Sequence, residues 1–147
     1  MILDKNLLFS DKQALRNTDV DSTNVIDLGA SGQPIWKGEP LAVVVVITTG
    51  ATGGTGLTVQ VRQSDQLSGQ SLGGSPEMIA ISPGISVEYL FAGNRIILPL
   101  PVTPVDGARY LELFYDVSGS FTALSVTAAL IPMRYADTWE AFADAQN

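Results

Sequence analysis

Residues 41–49 read LAVVVVITT, and this stretch decides the fold. Leu41, Val43, Val45 and Ile47 fall on one side of an extended chain. Ala42, Val44 and Val46 fall on the other. Four consecutive valines are poor helix material, because β-branching freezes χ1 against the preceding turn. The same branching suits a pleated strand. Seven apolar residues are too few to cross a bilayer. A strand that is apolar on both faces has to be covered on both. One cover is expected from the opposite sheet of the same domain, the other from an arm, a loop or a second subunit.

The next segments extend the pattern. Residues 50–56, GATGGTG, form a connection with four glycines. In residues 57–63, Leu57, Val59 and Val61 alternate with Thr58, Gln60 and Arg62. Period two marks a half-buried strand. Strand, glycine loop and alternating strand together read as a hairpin with a long loop.

Further strands are expected on either side. Residues 23–28 read as a short strand before Gly29, and residues 78–81 as another before Pro83-Gly84. Residues 87–91 alternate, with Val87, Tyr89 and Phe91 on one face. Residues 95–100 follow the Gly93-Asn94 turn, and Pro99, Pro101 and Pro104 argue for a sheet edge. In residues 110–117, Leu111, Leu113, Tyr115 and Val117 point inward, Glu112 and Asp116 outward. Residues 124–130 place Leu124, Val126, Ala128 and Leu130 on one face, and Pro132 ends that run. The Ser/Gly-rich residues 65–76 read as loop. The N-terminal residues 1–15 read as an extended arm with a turn at Ser10-Asp11. The tail, 136–147, reads either as one short helix capped by Asp137 or as a frayed, extended end. The expected fold class is therefore all-β, a jelly-roll-like β-sandwich. It would be one domain with a core over residues 22–132, an N-terminal arm over 1–21 and a C-terminal tail over 133–147.

Composition narrows the function. A chain of 147 residues suits one domain. It is 46% apolar and only 16% charged, with mean hydropathy +0.23. Such a balance argues against disorder and for buried interface. Net charge is −7 and the isoelectric point about 4.3. Phosphate backbones would repel it, so nucleic-acid binding is not expected. No basic and apolar leader opens the sequence, and assembly in the cytosol is expected, with no membrane partner.

Histidine and cysteine are both absent. Ser-His-Asp and Cys-His catalysis and the usual zinc sites are excluded with them. The glycine loop lacks the GK[ST] ending of a phosphate-binding loop. Glu88, Glu112 and Asp116 could form a carboxylate pair across a sheet, but solvated strand faces explain them as well. Asp19, Asp21 and Asn24 could offer oxygen ligands, yet they lack the Gly and distal Glu of a calcium loop. No catalytic residue, cofactor or metal site is therefore expected. Trp36 lies in a Pro/Gly loop, and Tyr135, Trp139 and Phe142 in the tail. Each either tucks onto its own core or anchors a partner.

Several stretches together carry a resemblance: MILDKNLLFSD at residues 1–11, STNVIDLG at 22–29, GEPLAVVVVI at 38–47 and GLTVQVRQSD at 56–65. AGNRIILPLP at 92–101, RYLELFYDVSG at 109–119 and FTALSVTAAL at 121–130 continue it. In that order they resemble the small capsid cement (decoration) proteins of tailed bacteriophages. The resemblance implies a jelly-roll-like sandwich that dimerises and decorates the outer surface of an icosahedral shell, bound to the major capsid protein. It supplies no catalytic residue. Loops 65–76 and 101–107 match nothing in it. The alternative reading is a carbohydrate-binding β-sandwich, for which Trp36 and Trp139 are the available stacking residues.

Overall fold

The valine run is a strand in the computed structural model, which describes residues 7–27, 41–100 and 109–133. Twelve strands occur among the described residues: β1 Leu8–Ala14, β2 Val20–Asp21, β3 Ile26–Asp27, β4 Leu41–Gly53, β5 Gly56–Ser64, β6 Leu67–Ser68, β7 Ser71–Leu72, β8 Glu77–Ile81, β9 Ile85–Ser86, β10 Arg95–Pro99, β11 Tyr110–Ser118 and β12 Phe121–Pro132. The first sheet has the order β1-β12-β4-β10. The second has the order β2-β11-β5-β8, with β3 on β11 and β9 on β5. The pairings between these strands are antiparallel among the described residues. Strands at corresponding places in the two sheets are neighbours in sequence: β1 with β2, β12 with β11, β4 with β5. That is the wrapping of a jelly roll, and the fold is a jelly-roll-like β-sandwich.

The two faces of β4 behave as their alternation requires. Val43, Val45 and Ile47 join Val59, Val61, Leu111, Leu113 and Tyr115 in the main core between the sheets. Ala42, Val44 and Val46 form a second buried cluster on the outer face, with Leu8, Ala129 and Ile131. All six are buried within the single chain, so covering this face does not require a second copy.

One connection departs from the sequence reading. β4 and β5 do not form a hairpin: β4 pairs with β12 and β10, and β5 with β11, β8 and β9. Their glycine connection instead arches from one sheet to the other. Between β11 and β12 the chain makes a second arch, and the two stack. The Thr55 N–H donates to the Ser118 carbonyl at 2.8 Å. Gly53, Gly54 and Gly119 carry φ of +79°, +73° and +83°, conformations that L side chains rarely adopt.

Two other segments differ. Residues 87–89 are a 3-10 helix rather than part of a strand. Val87 packs on the core, while Tyr89 and Phe91 are exposed. Residues 8–14 are not a free arm but a strand paired with β12. The expected turn at Ser10-Asp11 is a bulge: the register shifts between Ser10 and Gln13, and Lys12 has φ +52°. The edge position signalled by the prolines is found, with β10 pairing β4 alone among the described residues.

A buried polar chain ties the sheets together at this side. Tyr115 Oη on β11 lies 2.8 Å from Ser10 Oγ on β1. The Ser10 hydroxyl donates to Gln13 Oε1 at 2.6 Å. That oxygen also accepts from the Thr23 N–H, and Gln13 Nε2 donates to the Asp21 carbonyl. The Gln13 amide thus replaces the backbone ladder that strands of different sheets cannot share. Burial holds the Tyr115 hydroxyl far above the ordinary tyrosine range, opposed by its bond to Ser10. Tyr115→Phe is expected to cost about 1 kcal/mol, the usual net value of one hydrogen bond. Urea unfolding should show a lower midpoint with an unchanged slope.

Candidate functional site

Outward residues of the second sheet carry the chemistry that the sequence singled out. On β11 these are Tyr110, Glu112, Phe114 and Asp116. In register on β5 stand Ser64, Arg62, Gln60 and Thr58. Solvent should reach such a face, yet Glu112 is 3% exposed. Its cover is the β6–β7 hairpin, a separate two-stranded ribbon that lies over β11. The Leu72 N–H and the Ser71 hydroxyl lie on the side of the hairpin that faces the Glu112 carboxyl. Its Oε2 is buried without a hydrogen-bond partner among the described residues.

Charge around this carboxyl is unbalanced. Asp21, in register with Phe114, sits diagonally from Glu112 on the same face. The Ser71 hydroxyl donates to Asp21 Oδ2 at 3.4 Å. Arg62, directly across from Glu112, is turned to Gln60 Oε1 at 2.9 and 3.1 Å and lies 4.0 Å over the Phe114 ring. Burial first, and the Asp21 charge second, push the Glu112 pKa up to about 7. The Leu72 N–H, the Ser71 hydroxyl and the Arg62 charge oppose the shift.

Other sequence candidates are not brought together. Asp116 is paired in register with Thr58, and Glu88 lies on the 3-10 helix. The Asp19 carboxylate accepts from the Val117 N–H at 2.9 Å. The Asn24 N–H donates to the Phe9 carbonyl. Among the described residues no group of three or more His, Cys, Asp or Glu could hold a metal ion. Trp36, Tyr135, Trp139 and Phe142 lie outside the described residues, as does the expected tail helix.

Two surface features were not legible in the sequence. A cleft of about 750 Å³ runs between Leu67, Gly69 and Gln70 on one wall and Thr23, Asn24 and Val25 on the other. Asp27 beside it makes an exposed pair with Arg109 at 2.7 and 2.9 Å. The charged hydrogen bond to Asp27 raises the Arg109 pKa further. Exposed large apolar side chains recur along residues 78–91: Met78 and Ile81 at 50%, Tyr89 at 57% and Phe91 at 55%. No helix among the described residues is long and apolar enough to cross a membrane.

The sequence model of one family, described as Bbp16, matches residues 9–130. That span runs from β1 to the end of the β12 core positions. No curated protein matches the chain.

Proposed function

The chain belongs to the Bbp16 family, a phage-associated family, and from that premise we propose that it is a structural cement protein of the virion. In this reading it binds the outer surface of an icosahedral shell, through the major capsid protein, and stabilises the shell against the pressure of the packaged genome. The observation that carries the reading is the exposure of four large apolar side chains, Met78, Ile81, Tyr89 and Phe91, within a short stretch of sequence. Singly exposed apolar residues need no explanation, but four within fourteen residues suit a contact surface. A ligand that binds the assembled lattice and not its separated parts stabilises it by mass action. A homodimer would add avidity, because two linked contacts raise effective concentration. Dimerisation is not required to cover the β4 outer face, so it rests on this functional argument.

Pelleting of the purified chain with empty phage shells tests the proposal. Saturable co-sedimentation is expected, and a chain that stays in the supernatant at every concentration contradicts it. Phe91→Ser should leave the urea midpoint within about 0.5 kcal/mol, as exposed positions do. It should weaken pelleting by about 2 kcal/mol or more if Phe91 is an anchor. Trp36, Tyr135, Trp139 and Phe142 remain candidate contacts by residue type alone. The exposure of Tyr89 and Phe91 also suits stacking on a sugar, the second reading. Binding on a glycan array that is lost in Tyr89→Ala, with no pelleting on shells, would favour it.

A further inference from the structure

We propose that the 67–72 hairpin is a proton-controlled flap. It lies closed over the sheet while the Glu112 carboxyl holds its proton, and lifts when that proton is lost. Independently of the cement reading, the inference rests on the contacts beneath the hairpin.

The hairpin is too small to hold its own position. Each of its strands has two residues, and a lone ribbon of that size is marginal in water. Its base is pinned. The Gly73 N–H donates to the Gln66 carbonyl, and the Ser64 hydroxyl donates to the Gly73 carbonyl at 2.7 Å. Gly69 at the tip and Gly74 at the base have φ of +65° and +63°. Beyond the base, the hairpin meets the sheet through Leu72, 8% exposed, and through the Ser71 hydroxyl, which donates to Asp21 Oδ2 at 3.4 Å, and it closes over Glu112, 3% exposed. Leu67 on the other strand is 46% exposed. The hairpin thus covers a carboxyl whose Oε2 has no hydrogen-bond partner among the described residues, and ionising that carboxyl makes the closed position costly.

That carboxyl faces a defined set of groups. From β2 comes Asp21, a like charge. From β5 comes Arg62, whose guanidinium is committed to Gln60 and Phe114. From β7 come the Ser71 hydroxyl and the Leu72 N–H, and on its own strand Tyr110 and Phe114 flank it. Glu77 on β8 lies one strand further and accepts from Gln63 at 2.9 Å. When Glu112 and Asp21 are both ionised, two like charges lie diagonally on one face of the sheet, and Oε2 is a buried, unpartnered anion. Lifting the flap returns that oxygen to water.

The direction of the pH effect follows. Closed, the carboxyl titrates at about 7; open, it returns toward its ordinary value of 4.5. The proton binds the closed form more tightly. Its contribution to closure is complete below about pH 4.5, is lost as the pH rises to about 7, and is absent above. Because Leu67, Gly69 and Gln70 form one wall of the 750 Å³ cleft, lifting the flap also reshapes that cleft.

Hydrogen exchange on the intact chain tests the flap, read as protection factors so that intrinsic pH dependence cancels. Protection of the Leu72 amide is expected to fall at least about tenfold between about pH 5 and pH 8, one decade per unit of coupled shift. Amides of β12 should hold theirs. In Glu112→Gln, which cannot ionise, Leu72 should keep equal protection at both pH values. Unchanged protection in the natural chain, or the same fall in Glu112→Gln, overturns the proposal. Should that variant not fold, the Glu112 carboxyl carbon is titrated by NMR in the natural chain. A midpoint near 7 shared with the Leu72 amide shift supports the flap, and a midpoint in the ordinary carboxylate range overturns it.

Discussion

Val45→Asp is expected to leave no soluble folded protein. Val45 is fully buried on the inner face of β4, paired in register with Ile96 and Ala128. A carboxylate there meets apolar side chains in the main core and no cation. Burying an unpaired charge costs several kcal/mol even after relaxation. A domain's whole margin is about 5–15 kcal/mol. Val45→Thr, which keeps the shape and adds a hydroxyl, should cost only about 1–3 kcal/mol. Soluble expression and a urea midpoint for both variants check this. Unchanged unfolding of Val45→Asp would mean that β4 is not the centre of the sandwich.

The second large effect is expected at the stacked arches. Gly119 has φ +83°, and a Cβ placed there would lie 2.9 Å from the Thr55 nitrogen and 3.0 Å from Gly54 Cα. The obstacle is backbone of the other arch, which cannot rotate away. Gly119→Val therefore combines left-handed strain of about 1–2 kcal/mol with overpacking of about 1–3 kcal/mol. We expect a loss of about 3 kcal/mol or more. Gly69→Ala provides the comparison: φ is +65°, but nothing lies within 4 Å. It should cost about 1 kcal/mol, from strain alone. Equal losses at the two sites would show that the arches do not press on one another.

The pattern of success in the sequence reading has a physical cause. Local alternation marked β4, β5, β11 and β12 with their inward residues, because sheet faces repeat every two positions. Pairing is not local. Residues 50–56 carry the glycines of a hairpin and equally those of an arch, and the choice depends on where β12 and β11 lie. Residues 87–91 alternate by accident: a 3-10 turn buries Val87 against the core while leaving Tyr89 and Phe91 in water. Lys12 at positive φ cannot be read from its residue type, since a lysine there is unusual.

The candidate site was less legible still. Glu112 was correctly placed on the outward face, but its burial comes from two strands of two residues each, too short for any periodicity. The unpartnered Oε2, the diagonal Asp21 and the occupied Arg62 are properties of the folded arrangement. Aromatic anchors chosen by residue type alone, Trp36 and Trp139 among them, fall outside the described residues. The exposed apolar group at 78–91 is scattered over a strand, a turn and a 3-10 helix, so it forms no stripe in the sequence.

The most direct test of the cement proposal is the temperature at which DNA-filled phage shells lacking this protein release their genome, measured with and without added purified chain. A saturable rise of several degrees is expected, abolished when binding is abolished. Binding that leaves the release temperature unchanged at saturation would contradict it.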